Sequence, residues 1–507
     1  MAADHVRVVS RKIKSDRAYA FESGGVDSYT ISDAKRSECG TDVILHIRPE
    51  ETEDGDEYNR YLREYTIYKL VKQYSDYIRW PIRLLMPIPV PDENGEPTEK
   101  WSYERLNSMT PLWKRPKSEV REEETLAFYR ERYAKAPDFD SAEAALSPPL
   151  KTLLLKIEGN VEFSGLIYIP SAAWTSWDTK DDPKGLELYS NGVRIKERET
   201  ELLPDAFPFL KGAVDIPNLP LNLSRDGIQS SSQLAAVKDV IFRKVLNALQ
   251  EALKERRAEY ECFFTDFGRS LKLSAMECEG SSREKLQKLL LFEYSGSEKQ
   301  ITLDEYVTNM IPHQKAIYFS KGASRQEIFS LPETERPLRR GIPFLCFTDI
   351  ADELCARVFG QYSGFPFQAL SDRQADLKSE TDSPFTMQEE KELLSFIQQA
   401  VGTDVEEVTA SRKLESHPVL LASGSGISFE MEADYRRLNP DADLKSQHIL
   451  EVNLAHPALS ALNRARTGDP KRAAAYAKIL YNQARLMAGL DIEDPGSYTD
   501  LVVSLFR

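Results

Sequence analysis

The run Lys211-Gly212-Ala213-Val214-Asp215-Ile216-Pro217-Asn218-Leu219-Pro220-Leu221-Asn222-Leu223-Ser224-Arg225-Asp226-Gly227-Ile228-Gln229 decides how the rest of this chain is read. Its prolines fix φ and remove backbone donors, so it reads as a proline-braced loop running into a helix. Ser224 suits the cap of that helix, which puts Arg225 and Gln229 one turn apart on one face. A guanidinium fork beside an amide donor suits a phosphate. An ordinary loop arginine paired with a carboxylate suits the same residues, and local chemistry leaves both readings open.

Working outward, Leu153-Leu154-Leu155-Lys156-Ile157 and Gly165-Leu166-Ile167-Tyr168-Ile169 read as strands, the second ending at Pro170. Gly185-Leu186-Glu187-Leu188-Tyr189 and Val193-Arg194-Ile195 read as a further pair joined by Ser190-Asn191-Gly192, and Asn-Gly is the turn signal of a tight hairpin. Helical spacing takes over at about 231–257, where Leu234, Val237, Ile241, Val245, Ala248 and Ala252 share one side. Strand-like stretches such as Lys315-Ala316-Ile317-Tyr318-Phe319 and Pro343-Phe344-Leu345-Cys346-Phe347 then alternate with helical ones to about 370, which predicts α/β layers.

Farther out, residues 5–48 read mainly as strands, and a helix is predicted over about 58–78 from Tyr61, Tyr65, Tyr68, Val71 and Tyr74. The proline-rich stretch from Pro87 to Pro97 reads as a linker with a boundary near 90–105, and the polar stretch from Asp372 to Ser383 as a second boundary. Two punctuated helices close the chain. The first has Asp469 as cap, Pro470 at its first position and Gly489 just past its end; the second starts near Pro495. They pack either within the chain or between two chains. Ile427, Met431, Tyr435 and Leu438 fall at helical spacing after Ser423-Gly424-Ser425-Gly426, as an exposed amphipathic segment or a buried helix would, and Trp174 and Trp177 offer a second apolar candidate.

Composition narrows the function classes. The net charge of -15, from 81 acidic against 66 basic residues, repels phosphate backbones and anionic lipid, so neither nucleic acid nor a membrane is expected as partner. Five scattered cysteines without a Cys-x-x-Cys pair predict reduced thiols, and scattered histidines give no metal site. No signal peptide or membrane-spanning run is evident, which predicts a soluble intracellular chain.

With those residues in hand, the run from Leu219 to Arg225, followed by Gln229, resembles the catalytic loop in the middle domain of the heat shock protein 90 family. Phe209-Leu210-Lys211-Gly212-Ala213-Val214-Asp215 precedes it at the family's spacing. Leu166-Ile167-Tyr168-Ile169-Pro170, Leu303-Asp304-Glu305-Tyr306-Val307 and Lys315-Ala316-Ile317-Tyr318-Phe319 resemble other middle-domain landmarks, and Leu450-Glu451-Val452-Asn453, His456-Pro457 and the last two helices resemble the dimerisation domain. Ala3-Asp4-His5-Val6 and Gly40-Thr41-Asp42-Val43-Ile44-Leu45-His46 resemble late strands of the nucleotide-binding domain.

The resemblance implies a multidomain α+β and α/β chain. Residues 1–88 would be the remnant of an N-terminal ATPase α/β sandwich, 89–105 a linker, 106–371 an α/β middle domain with the catalytic loop, and 384–507 a helix-rich C-terminal dimerisation domain. It implies an ATP-dependent folding chaperone, a homodimer holding unfolded or partly folded clients, with ATP and Mg2+ as cofactors. Arg225 would reach the γ-phosphate of ATP, with Asn222 and Gln229 supporting the loop; Thr41, with Gly40 beside it, would touch the nucleotide. Read alone, Gly40-Thr41 is a turn. Asp226-Gly227 departs from the family's larger residues, and glycine inside a helix costs roughly 1 kcal/mol against alanine. The family's general-base glutamate, magnesium-binding asparagine, adenine-binding aspartate and glycine-rich lid have no counterpart in this sequence. The expectation is a truncated or incomplete chain that does not hydrolyse ATP alone. A non-hydrolytic dimeric client-binding fragment is the alternative; a DNA-repair or topoisomerase-type ATPase subunit is disfavoured by the acidic charge. The chain's end and the stretch Leu289-Leu290-Leu291-Phe292-Glu293-Tyr294 lean towards a mitochondrial relative, with the cytoplasm as alternative.

Overall fold

Alternation of side chains builds the first four strands, β1 (Ala3–Arg11), β2 (Ala18–Ser23), β3 (Tyr29–Ala34) and β4 (Gly40–Ile47). They form an antiparallel sheet in the order β3-β2-β1-β4. The computed structural model describes residues 3–25, 28–48, 58–91, 97–133, 147–159, 161–173, 184–217, 219, 232–372, 383–411, 413–423, 448–492 and 494–506. In this sheet only Ala18 and Ala20 are buried, whereas Tyr29, Ile31, Val43, Ile44 and Leu45 are exposed. The predicted helix near 58–78 is present in pieces: a tight 3-10 turn Tyr58–Leu62, then a helix Glu64–Leu70 continued by a wider turn Val71–Ser75.

The proline-rich stretch forms a hairpin, β5 (Arg83–Pro91) against β6 (Pro97–Arg105). A two-stranded ribbon consists of edges, so prolines without an N–H are tolerated there.

A five-stranded sheet follows: β7 (Lys151–Ile157), β8 (Phe163–Ile169), β9 (Leu186–Ser190), β10 (Val193–Glu199) and β11 (Lys211–Asp215), ordered β10-β9-β11-β8-β7. The last strand in sequence is the central one, antiparallel to β8 and parallel to β9. Asn191 (φ 51°) and Gly192 (φ 82°) make the predicted tight turn of the β9–β10 hairpin. Trp113, Tyr129, Leu166, Tyr168, Tyr189 and Ala213 form a buried cluster on the sheet.

By its contacts the chain divides into two compact units. One comprises 1–170, 174–204 and 208–241; the other comprises 242–507 with 171–173 and 205–207. The predicted helix near 231–257 is Ser232–Glu255, and its six stripe residues are buried. Beyond it lies a helix Arg257–Glu277 and a six-stranded sheet in the order β13-β12-β15-β14-β17-β16. Its strands are β12 (Leu291–Tyr294), β13 (Ser297–Thr302), β14 (Ile317–Lys321), β15 (Leu345–Phe347), β16 (Gln361–Tyr362) and β17 (Phe365–Ala369). The stretch Leu303 to Val307 begins the short helix Leu303–Thr308, capped by Thr302.

The last part pairs β18 (Glu407–Ala410), β20 (His448–Val452) and β19 (Val419–Ser423) in that spatial order. The helices Met387–Val401, Pro457–Gly468 and Pro470–Met487 supply its core through Leu393, Ile397, Leu459, Leu462, Ala477 and Ala484. The predicted punctuation holds: Asp469 accepts from Arg472 N at 3.2 Å, Gly489 adopts φ 72°, and the final helix is Pro495–Ser504. Among the described residues no helix is long and apolar enough to cross a membrane.

A polar seam runs between the short helix Glu335–Arg340 and residues 413–417. The Glu335 carboxylate accepts from Ser416 N (3.1 Å), Glu415 N (3.3 Å), the Ser416 hydroxyl and His417 Nδ1 (2.7 Å). Arg339 pairs with Glu415, and Lys413 donates to the Asp372 carbonyl with Glu451 Oε1 3.7 Å away. Burial pushes the Glu335 carboxyl up, but the donors from Ser416, His417 and Glu415 outweigh it and hold it below its ordinary 4.5.

Two outcomes follow. A Cβ at Gly192 would lie 2.1 Å from the Tyr77 carbonyl oxygen, on backbone of positive φ. Gly192→Ala is therefore expected to cost about 2 kcal/mol or more in urea unfolding; an unchanged midpoint would count against this turn. A carboxylate with a depressed folded value stabilises above its ordinary value of 4.5 and loses that contribution as pH falls through the folded value. Acidification below about 4.5 should loosen this seam, with Glu335→Gln removing the pH dependence of amide protection (exchange relative to the intrinsic rate) at 413–417.

Candidate functional site

Of the residues predicted to do chemistry, Gly40 and Thr41 open β4. Asn222, Arg225 and Gln229 lie outside the described residues, as do Trp174, Trp177 and the segment holding Ile427, Met431, Tyr435 and Leu438. Thr41 pairs with Ser10 across the β1–β4 ladder, their hydroxyl oxygens 2.8 Å apart. Gly40 takes φ 139°, and a Cβ there would meet the Arg36 guanidinium at 2.9 Å. That guanidinium forks onto Asp42, with Nε and Nη2 each 2.9 Å from a carboxylate oxygen. The fork to Asp42 raises Arg36, and the same contact lowers Asp42. Arg11 in turn donates to the carbonyls of Arg36 (3.0 Å) and Ser37 (2.6 Å). The corner thus offers two hydroxyls and a bound cation on an exposed strand end. Among the described residues no group of three or more His, Cys, Asp or Glu side chains is placed to hold a metal ion.

The loop that should carry Arg225 leaves the sheet from β11. Ile216 N makes a last bond to the Tyr189 carbonyl (2.9 Å), and Leu219 is buried. Asp215, at the strand's end, is 1% exposed and lies 2.6 Å from Lys114 Nζ. A second buried carboxylate, Glu187 on β9, accepts from Arg132 Nε and Nη2 (2.6 Å each), Tyr133 Oη (2.8 Å) and Tyr189 Oη (2.9 Å). Burial and this carboxylate together push the Tyr133 hydroxyl well up, so it stays a donor. Neither carboxylate was singled out in the sequence, because their partners stand 101 and 55 positions away.

The structure also exposes an apolar stripe that sequence reasoning missed. On the helix Ile350–Phe359, Ile350 (44%), Leu354 (37%) and Val358 (44%) are exposed, while Ala351, Cys355 and Ala356 are buried. Four-residue spacing puts the three on one solvent-facing stripe. Leu273, on the adjacent helix Arg257–Glu277, is exposed as well. The signal was available in the spacing, but an isolated run of three reads as core.

Comparison with known proteins matches the family model for Hsp90 protein to residues 91–507. The chain belongs to the Hsp90 family. It is 37% identical over 510 residues to the chaperone protein HtpG of Clostridium acetobutylicum, covering all of this chain and 80% of that relative. It is 36% identical over 505 residues to the chaperone protein HtpG of Bacillus subtilis, covering 99% of this chain and 79% of that one. This Hsp90-family chaperone therefore has the bacterial character expected of its branch, and membership carries client binding and dimerisation in general terms. The mitochondrial leaning is corrected by the same finding: these relatives are bacterial, and the cytoplasmic alternative fits better. The physical reason is plain for 289–292. Leu289, Leu290, Leu291 and Phe292 are fully buried, so packing dictates them and they carry no compartment address.

Proposed function

We propose that this Hsp90-family chain is an ATP-dependent folding chaperone in which Arg225 senses the γ-phosphate. The observation that carries this is topological: the run 216–229 leaves the end of β11, the central strand of its sheet. Strand ends of a buried sheet are rigid supports, and a cation carried on one is delivered with little reorganisation. Arg225 would place a guanidinium fork against the charge that spreads over phosphoryl oxygens during hydrolysis, with Asn222 and Gln229 holding the loop. Gly40 and Thr41 would meet the nucleotide, with bound ATP and Mg2+ supplying the phosphoryl chemistry. We place a part of the nucleotide-binding domain at 1–88, the middle domain at 106–371 and the dimerisation domain at 384–507, with 89–105, expected as a linker, falling in the β5–β6 hairpin. The helices Pro470–Met487 and Pro495–Ser504 support the last, with Leu486, Val503, Leu505 and Phe506 exposed on and after them.

Clients would lie on the stripe of Ile350, Leu354 and Val358, because exposed apolar side chains at helical spacing match the unsatisfied surface of a partly folded chain. The second reading, a dimeric chaperone body that holds clients without turnover, is favoured by the exposure of β4 from Gly40 to His46.

Steady-state turnover separates the two. If Arg225 stabilises the transferring phosphoryl group, Arg225→Ala, measured with a complete nucleotide-binding domain supplied, should lower ATP turnover at least about 100-fold with nucleotide affinity changed far less. Equal turnover in both proteins would sink the arginine reading, and no turnover in the parent even with that domain supplied would favour the holding reading. For clients, Leu354→Asp should weaken suppression of aggregation of a denatured test protein several-fold while the melting midpoint stays put. Unaltered suppression would remove the stripe from consideration.

A further inference from the structure

The five-stranded sheet holds three buried carboxylates, and they are treated very differently. Glu199 accepts from Lys196 Nζ at 3.1 Å and Glu201 N at 3.0 Å. Glu187 is saturated by Arg132, Tyr133 and Tyr189. Asp215 has one partner among the described residues, Lys114 Nζ at 2.6 Å from Oδ2, and neither of its oxygens receives an aligned hydrogen bond. A buried charge with a single counter-ion depends on that ion entirely, since desolvation has already been incurred and nothing else offsets it.

Lys114 is itself firmly held. The preceding residue, Trp113, is wholly buried and packs edge-on to Tyr77 and Phe128, with ring centroids 5.1 and 6.0 Å away. The following residue, Arg115, donates to Glu124 Oε1 at 2.8 Å and to the Glu119 carbonyl at 2.7 Å. The Lys114 carbonyl accepts from Lys156 Nζ on β7 at 3.0 Å. Its ammonium thus reaches from a fixed 3-10 turn, Leu112–Lys114, to the last residue of the central strand. Beside it lies a cleft of about 260 Å³ lined by Lys156, Glu158, Ser164 and Pro217 among others. Without the ammonium, Asp215 can regain solvation only by swinging into that cleft, and the chain after it would swing too.

We propose that the Lys114–Asp215 ion pair is a latch that sets where the chain leaves β11, which makes Lys114 a positioning residue for Arg225 ten residues on. The link to Arg225 rests on the functional reading above; the latch itself does not.

The test is hydrogen exchange on the full chain without nucleotide, comparing the parent with Lys114→Met, Lys114→Arg and Asp215→Asn. Lys114→Met should speed exchange of the amides just after Asp215 at least tenfold, leaving exchange in β7 and β8 as it was. Lys114→Arg should restore protection, because a longer cation still meets the carboxylate. Asp215→Asn keeps the shape and removes both the ion pair and the charge that seeks solvation, so it should raise exchange after Asp215 above the parent but less than Lys114→Met does, which covers the case where the methionine variant folds poorly. Unchanged exchange after Asp215, a rise spread over the whole sheet, no rescue by arginine, or amides already unprotected in the parent would each overturn the latch. Nucleotide does not enter the assay, so loss of the latch and loss of the Arg225 reading are separate results.

Discussion

The central position of β11 is the constraint on which the rest of this structure depends. Both edges of that strand are occupied, by β8 antiparallel and β9 parallel, and its residues Gly212 to Asp215 are buried. A strand fixed on both edges cannot slip by one residue without turning its apolar face outward. Whatever follows Asp215 therefore starts from a defined point. The parallel neighbour matters as much as the antiparallel one. Parallel pairing requires a crossover, and here it runs through the β9–β10 hairpin and the stretch to 210, so the central strand is completed last.

Because its sheet is complete before the loop begins, the loop's chemistry and the core's stability are separable. Apolar burial by Leu166, Ile167, Leu188, Ala213 and Val214 holds the strands together. Buried charge in the sheet is carried by Glu187, Arg194, Glu199 and Asp215, and only Asp215 stands where the chain exits. Glu187 is locked by four donors and reads as structural. Asp215 is balanced by one ammonium, that of Lys114, whose side chain is 40% exposed.

Much of this was legible in the sequence, for identifiable reasons. The Asn191-Gly192 turn, the Ser232–Glu255 stripe and the punctuation of the last two helices are local rules, satisfied within a few residues. The β-branched run from Asp42 to Ile47 declared its strand, whereas Gly40 and Thr41, which read alone as a turn, open that strand. Pairings over long separations were not legible. Lys114 with Asp215, Arg132 with Glu187 and Glu335 with residues 415–417 join positions whose proximity only the folded chain creates. The proline-rich stretch read as a linker because proline opposes sheet in general; a lone two-strand ribbon is the exception, since each strand keeps an unpaired edge.

The polar seam and the apolar stripe show how one unit accommodates both stability and contact with partners. In the residues after 242 the cores are apolar, yet Glu335, Arg339, Lys413, Glu415 and Glu451 meet across a charged seam. Burial pushes the Lys413 ammonium down while Glu451, Asp372 and Glu333 pull it up, so it stays costly to bury and valuable to pair. Such contacts respond to ionic conditions, whereas the packing of Leu393, Ile397, Leu450 and Ala477 does not. The stripe of Ile350, Leu354 and Val358 is the reverse case: apolar surface left in water although its helix buries Ala351 and Cys355 well. Hydration of that surface is a standing cost that a bound apolar partner would remove. A chaperone needs both: a place where apolar strangers are welcome, and joints whose strength charge can tune.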